Sequence, residues 1–154
     1  MSTLELRVPP VAVVLACAGA MWLMARASGP SAVGAEVRAG LAALLALAGI
    51  ALAVAGLHEF RVARTTVNPL HPEQAAAMVT EGIYRRSRNP MYLGMFCLLA
   101  AWAAWLGRPA PFVLGLPAFV LYMNRFQILP EERALEQRFG PAFGEYAARV
   151  RRWI

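Results

Sequence analysis

Two short stretches hold most of the residues whose types and spacing could do chemistry. Tyr84, Arg88, Asn89 and Tyr92 gather around Pro90, and Glu131 and Glu132 follow Pro130 at the end of the next apolar run. Carboxylates supply acceptors, a guanidinium supplies donors, and an amide supplies both. A phenol adds a flat apolar face with a hydroxyl. As a set they suit a ligand with an aromatic ring, hydroxyls and a charged, zwitterionic tail. Taken singly, each residue has a plainer explanation. Acidic residues favour any helix N-terminus, tyrosines and arginines collect at bilayer surfaces, and Asn89-Pro90 is a simple helix start. What joins them into a site is the hairpin between them: two antiparallel helices of similar length return the second stretch to the first.

The elements that must position these residues are apolar. Hydrophobic residues make up 59% of the 154 residues and mean hydropathy is +0.50, beyond the range of an ordinary soluble domain. The expected fold is therefore an all-α integral membrane protein forming a single membrane domain over 1–154. Four uncharged stretches mark its spans, at about 8–27, 39–57, 89–107 and 109–129. A crossing helix needs about 20 apolar residues, which the fourth stretch meets only by running past Arg125 to Leu129. The sequence around Arg26 resembles a signal-peptide cleavage site, but the arginine inside it and the length of the apolar run favour a retained helix. The second stretch is almost entirely Ala, Leu and Gly, a composition that lets helices approach closely.

Between the second and third spans lies a polar loop, 58–88. Pro72 at a first helical position and Gly82 just past an end predict a short helix over 72–81. Beyond the fourth span, Pro130 is expected to open a polar helix that Gly140 ends. Pro141 opens another, completing C-terminal helices over 130–152. There Phe143, Tyr146, Ala147 and Val150 form one apolar stripe, which together with Arg149, Arg151, Arg152 and Trp153 suggests anchoring at a bilayer surface.

All 15 cationic residues are Arg. They flank apolar runs instead of forming a continuous basic face, which argues against nucleic acid and for membrane lipids as partners. Only Arg26, Arg38 and Arg108 fall on one side of a four-span topology, and the other twelve fall on the opposite side. The excess makes that side cytoplasmic, with both termini and the candidate site on it, as expected for a bacterial inner-membrane protein. Cys17 and Cys97 lie inside apolar runs as packing residues, and two histidines, His58 and His71, are too few for a histidine metal centre, so no metal is expected. Both read as loop or helix-end hydrogen bonders.

The ordered set Gly82-x-Tyr84, Arg88-Asn89-Pro90-x-Tyr92-x-Gly94, Glu131-Glu132-x-x-Leu135, Phe139-Gly140, Tyr146 and Val150-x-Arg152 resembles the isoprenylcysteine carboxyl methyltransferases and, more loosely, the phospholipid methyltransferases. The resemblance spans about 68–154. It implies a membrane enzyme using S-adenosylmethionine, with direct displacement of the methyl by an acceptor. Carried over by position, it implies a cofactor lining of Ala76, Ala77, Met78, Val79, Tyr84, Asn89, Pro90, Met91, Tyr92 and Glu131. Arg88, Asn89 and Glu132 are the candidates for a catalytic part. Asn89 stands where the family usually has His. Gln127 stands where the prenylcysteine enzymes have an Arg that meets the substrate carboxylate, with Arg125 nearby as the alternative substrate contact. The acceptor is expected to be small or lipophilic: a thiol, a lipid amine or a prenylated compound. Two other readings fit the same elements, a non-catalytic membrane scaffold or carrier and a sterol-reductase-like oxidoreductase. Oligomeric state is not legible.

Overall fold

The computed structural model describes residues 5–65 and 76–154. Among them the chain is all-helical. It comprises α1 (Pro10–Arg26), α2 (Ala35–Val62), a 3₁₀ turn (Gly82–Arg85), α3 (Pro90–Leu106), α4 (Pro111–Phe139) and α5 (Pro141–Arg149). Two helices, α2 and α4, are long and apolar enough to cross a membrane, while α1 and α3 are apolar but shorter.

Proline sets the starts. Pro10, Pro90 and Pro141 sit in the first turn of α1, α3 and α5, where the missing N–H costs nothing and the fixed φ suits a helix. Gly107 ends α3 in the left-handed region at φ 63°, so the chain turns directly into α4.

Helices α2 and α3 form the most extensive contact. Gly49 and Gly94 face each other: a Cβ on either would lie 2.8 or 2.7 Å from the other's carbonyl oxygen. The close approach expected of the Ala/Gly-rich stretch is therefore real, and it is backbone against backbone. On the other flank α1 is tied to α3 by the Trp102 indole, whose N–H donates to the Ala18 carbonyl at 3.0 Å. Met21, fully buried, fills the space that Gly115 leaves on α4. The core runs between α1, α3 and α4 through Leu99, Ala103, Phe119 and Met123.

Three expectations are corrected. Pro130 does not open a new helix; α4 continues from Pro111 to Phe139. A wider, π-type turn over Met123–Ile128 precedes it, and the Phe126 carbonyl, which Pro130 has no N–H to meet, accepts the N–H of Leu6 at 3.0 Å. An outside donor thus compensates for the proline. The helix expected over 72–81 is absent from its described part. Ala76 to Glu81 run as bends and open chain, because Thr65 Oγ1 accepts the N–H groups of Ala76 and Ala77 at 2.9 and 3.3 Å. Residues 72–75 and His71 lie outside the described residues. Finally, the stripe on α5 turns inward. Phe143, Tyr146 and Val150 are buried against Met78 and Leu135, and the helix stops at Arg149, leaving Val150 extended.

Candidate active site at the mouth of the helical hairpin

The start of α3 and the middle of α4 meet as the hairpin predicts. The Tyr92 hydroxyl donates to Glu131 Oε2 at 3.0 Å. One residue further on, Glu132 receives the Arg88 guanidinium at 3.2 Å and a two-pronged pair from Arg152 at 3.0 and 2.6 Å. The two carboxylates, adjacent in sequence, therefore have opposite environments. Glu132 is held between two cations. Glu131 is half-buried, with a phenol beside it and no ion pair among the described residues.

Electrostatics follow. Glu131 lies two residues beyond the apolar part of α4, and burial pushes its carboxyl up from the ordinary 4.5 to about 7, the Tyr92 hydrogen bond opposing. Burial also raises the phenols of Tyr84 and Tyr146, the latter to about 12 with Arg88 opposing. Both phenols therefore remain protonated donors at neutral pH. Tyr146 uses its hydroxyl on the Tyr84 carbonyl, 2.8 Å away. Tyr84 in turn stands edge-on to Phe60 at the end of α2.

Around these groups lies a cavity of about 260 Å³. Its polar end is formed by Tyr84, Arg88, Asn89, Glu131 and Glu132. One wall comes from the open segment Ala77, Met78 and Val79, backed by Leu135, Phe143 and Tyr146. An apolar limb runs on past Met91, Met95 and Ile128 to Pro9, Pro10 and Val11 at the start of α1. Arg88 contributes an Nε that is buried without a hydrogen-bond partner.

Of the positions expected from the sequence, Ala77, Met78, Val79, Tyr84, Arg88, Asn89, Met91, Tyr92, Glu131 and Glu132 line this cavity. Ala76 and Pro90 do not; Pro90 is buried in the first turn of α3. Asn89 lines the cavity but spends its amide on the chain end, donating to the Arg152 carbonyl at 2.9 Å. Gln127 is buried and hydrogen-bonds the Tyr92 phenol, so it props a wall residue instead of facing the cavity. Arg125 points elsewhere, paired with Glu5 at 2.8 Å. His58 is exposed on α2, away from the cavity lining.

Two contributions were not legible in sequence. The apolar limb at the start of α1 is one. The other is the tail after α5, where the Arg88 N–H donates to the Arg151 carbonyl at 3.0 Å and the Trp153 indole donates to Asn124 Oδ1 at 3.0 Å. The cluster of arginines and Trp153 was the available signal, and it pointed to lipid.

Among the described residues the fold is all-helical, with two helices long and apolar enough to cross a membrane and a cavity with polar groups at one hairpin mouth. The family model for phospholipid methyltransferases matches residues 37–142, and the chain belongs to that family. It is 44% identical over 64 residues to an uncharacterized protein of Haemophilus influenzae, a stretch that is 42% of this chain and all of that one. It is 35% identical over 89 residues to probable protein-S-isoprenylcysteine O-methyltransferases of Oryza sativa, subspecies indica and japonica. That match takes in 56% of this chain and 44% of theirs, so the chain covers less than half the length of the rice relatives. No solved structure matches.

Proposed function

We propose that the chain is a membrane-embedded methyltransferase that takes S-adenosylmethionine as donor and methylates a small or lipophilic acceptor. The observation that carries this reading is the half-buried Glu131 carboxylate, lining the cavity beside a phenol and lacking a cationic partner among the described residues. A carboxylate partly withdrawn from water in that state is costly unless a cation or hydroxyl donor meets it. The donor molecule carries an ammonium, a sulfonium and ribose hydroxyls. It also carries a carboxylate, and Arg88 faces the same cavity with an unmet buried N–H. Apolar and aromatic surfaces at Met78, Val79 and Tyr84 suit a purine ring. The residues present therefore fit the group.

When bound, the sulfonium compound supplies an electrophilic methyl group. The protein's tasks are orientation and exclusion of water. Glu131 is assigned to a polar, partly cationic portion of the donor, with Tyr92 fixing the carboxylate and Gln127 fixing Tyr92. Glu132 holds Arg88 in place together with Arg152. Phe143, Tyr146 and Leu135 close the polar end against solvent. The limb past Met91, Met95 and Ile128 is assigned to the acceptor, whose apolar lining suits a lipid-soluble molecule.

The proposed arrangement has four crossings, α1 to α4. At about 1.5 Å per residue, the 17 residues of α1 and of α3 approach the hydrocarbon thickness of about 30 Å. The arginine distribution favours a cavity at the cytoplasmic boundary of a bacterial inner membrane, with both termini on that side.

The test is calorimetric titration of the detergent-purified chain with S-adenosylhomocysteine, beside Glu131→Gln and a nicotinamide dinucleotide control. Saturable binding that the substitution abolishes supports the reading. A folded protein that binds neither ligand contradicts it and favours a scaffold or carrier, and binding of the dinucleotide alone favours an oxidoreductase.

A further inference from the structure

A second pocket lies at the opposite end of the bundle, between the first turns of α2 and the α3–α4 turn. It also measures about 260 Å³, and its lining includes Val37, Leu41 and Phe112 below Arg38 and Arg108. The apolar residues are unpaired by protein: Val37 is 64% exposed, Leu41 45% and Phe112 36%.

Arg38 is fixed firmly in place. The Arg38 stem crosses the α3–α4 turn so closely that a Cβ on Gly107 would lie 2.3 Å from its Cδ. One guanidinium nitrogen donates to the Trp105 carbonyl at 3.0 Å. Ser31 ties the same turn by donating to the Gly107 carbonyl at 2.9 Å. With its stem fixed, Arg38 still has a buried Nε with no hydrogen-bond partner. Arg108 is half-buried. Among the described residues neither arginine forms an ion pair, whereas Arg85, Arg88, Arg125, Arg133 and Arg152 all do.

Two guanidiniums lining one pocket without a carboxylate suit an anion, and planar N–H pairs match phosphate oxygens. The apolar slot beneath them requires hydrocarbon. We propose that this pocket binds one anionic glycerophospholipid, with the phosphodiester held by Arg38 and Arg108 and an acyl chain lying along Val37, Leu41 and Phe112. In the four-span topology this lipid sits in the leaflet opposite the candidate active site. The proposal stands independently of the methyltransferase reading, because no residue is shared between the two cavities.

The experiment is native mass spectrometry of the delipidated full chain titrated with phosphatidylglycerol, repeated for Arg108→Ala, Arg38→Gln and the double variant. Inorganic phosphate, phosphatidylcholine and diacylglycerol serve as comparison probes. One phosphatidylglycerol is expected to bind, with an affinity about tenfold lower in each single variant, the scale of one charge-assisted contact. Arg108 makes no hydrogen bond that its loss would break, and Arg38→Gln keeps a donor for the Trp105 carbonyl, so folding is checked by unchanged melting temperatures. Equal phosphatidylglycerol binding by the double variant overturns the proposal. So does diacylglycerol or phosphatidylcholine binding as tightly, which removes the role of charge. Displacement of the lipid by an equal concentration of inorganic phosphate also overturns it, since the slot then contributes nothing.

Discussion

Glu131 and Glu132 are chemically identical neighbours, and their difference is entirely one of partners. Glu132 is neutralised by Arg88 and Arg152, while Glu131 is raised to about 7 by burial. A carboxyl whose folded value lies above its ordinary one favours the fold most at low pH. That contribution is lost as pH rises from about 4.5 through about 7. Glu131→Gln is therefore expected to raise the melting temperature of the ligand-free protein at pH 8 and to have little effect at pH 5; an equal shift at both would refute the assignment. Binding has the opposite sign, because the ligand's ammonium and ribose hydroxyls are met best by the ionised carboxylate. Affinity for S-adenosylhomocysteine should rise between pH 6 and pH 8 in the parent chain. In Glu131→Gln it should be flat and about 10- to 100-fold weaker, the scale of a hydrogen bond to a charged group. Tyr146→Phe removes the donor to the Tyr84 carbonyl and should cost about 1–3 kcal/mol for the unmet buried acceptor, measurable by denaturant unfolding in mild detergent.

At the scale of elements, the hairpin was readable and its finish was not. Pro90, Gly107 and the uncharged runs around them announce two antiparallel helices, and these do return Glu131 to Tyr92. The signals that misled were also local. Pro130 and two acidic residues look like a helix start, yet the wide turn at Met123–Ile128 and the N–H of Leu6 let α4 run through. Pro72 and Gly82 frame a helix by propensity, but Thr65 and the buried cluster around Phe143 hold Ala76 to Glu81 open, and Ala77, Met78 and Val79 form a wall of the cavity. Tertiary contacts outweigh end signals worth a fraction of a kcal/mol to about 2 kcal/mol each. The α2–α3 contact is the element-scale test. Gly94→Val places a side chain against the Gly49 carbonyl and the Ala53 backbone, where overpacking costs about 1–3 kcal/mol. A lowered melting temperature is expected, whereas Gly144→Ala, which meets nothing within 4 Å inside α5, should leave it equal or slightly raised.

For the whole molecule, both chain ends serve the cavity. Glu5 pairs with Arg125 and Arg133, bringing Pro9 and Pro10 to the apolar limb. The tail after Arg149 clips onto Arg88, Asn89 and Asn124. Removing residues 151–154 is expected to weaken S-adenosylhomocysteine binding while helical content measured by circular dichroism stays within error, because α5 itself ends before the cut. Topology is checked separately: alkaline phosphatase fused after Ser28 should be active and after Arg64 inactive, and the reverse pattern would invert the proposed orientation.

Composition and spacing alone determined the all-helical fold, the hairpin and the meeting of Arg88 and Tyr92 with Glu131 and Glu132. Apolar run length and proline–glycine punctuation are local properties, and one hairpin converts local lengths into a distance. Only the tertiary structure decided which glutamate is left without a cation, that Gln127 supports Tyr92 and Asn89 holds the chain end, and that the stripe on α5 closes a cavity. Each of those depends on which residues far apart in sequence compete for the same hydrogen-bonding group, and that competition is settled by packing.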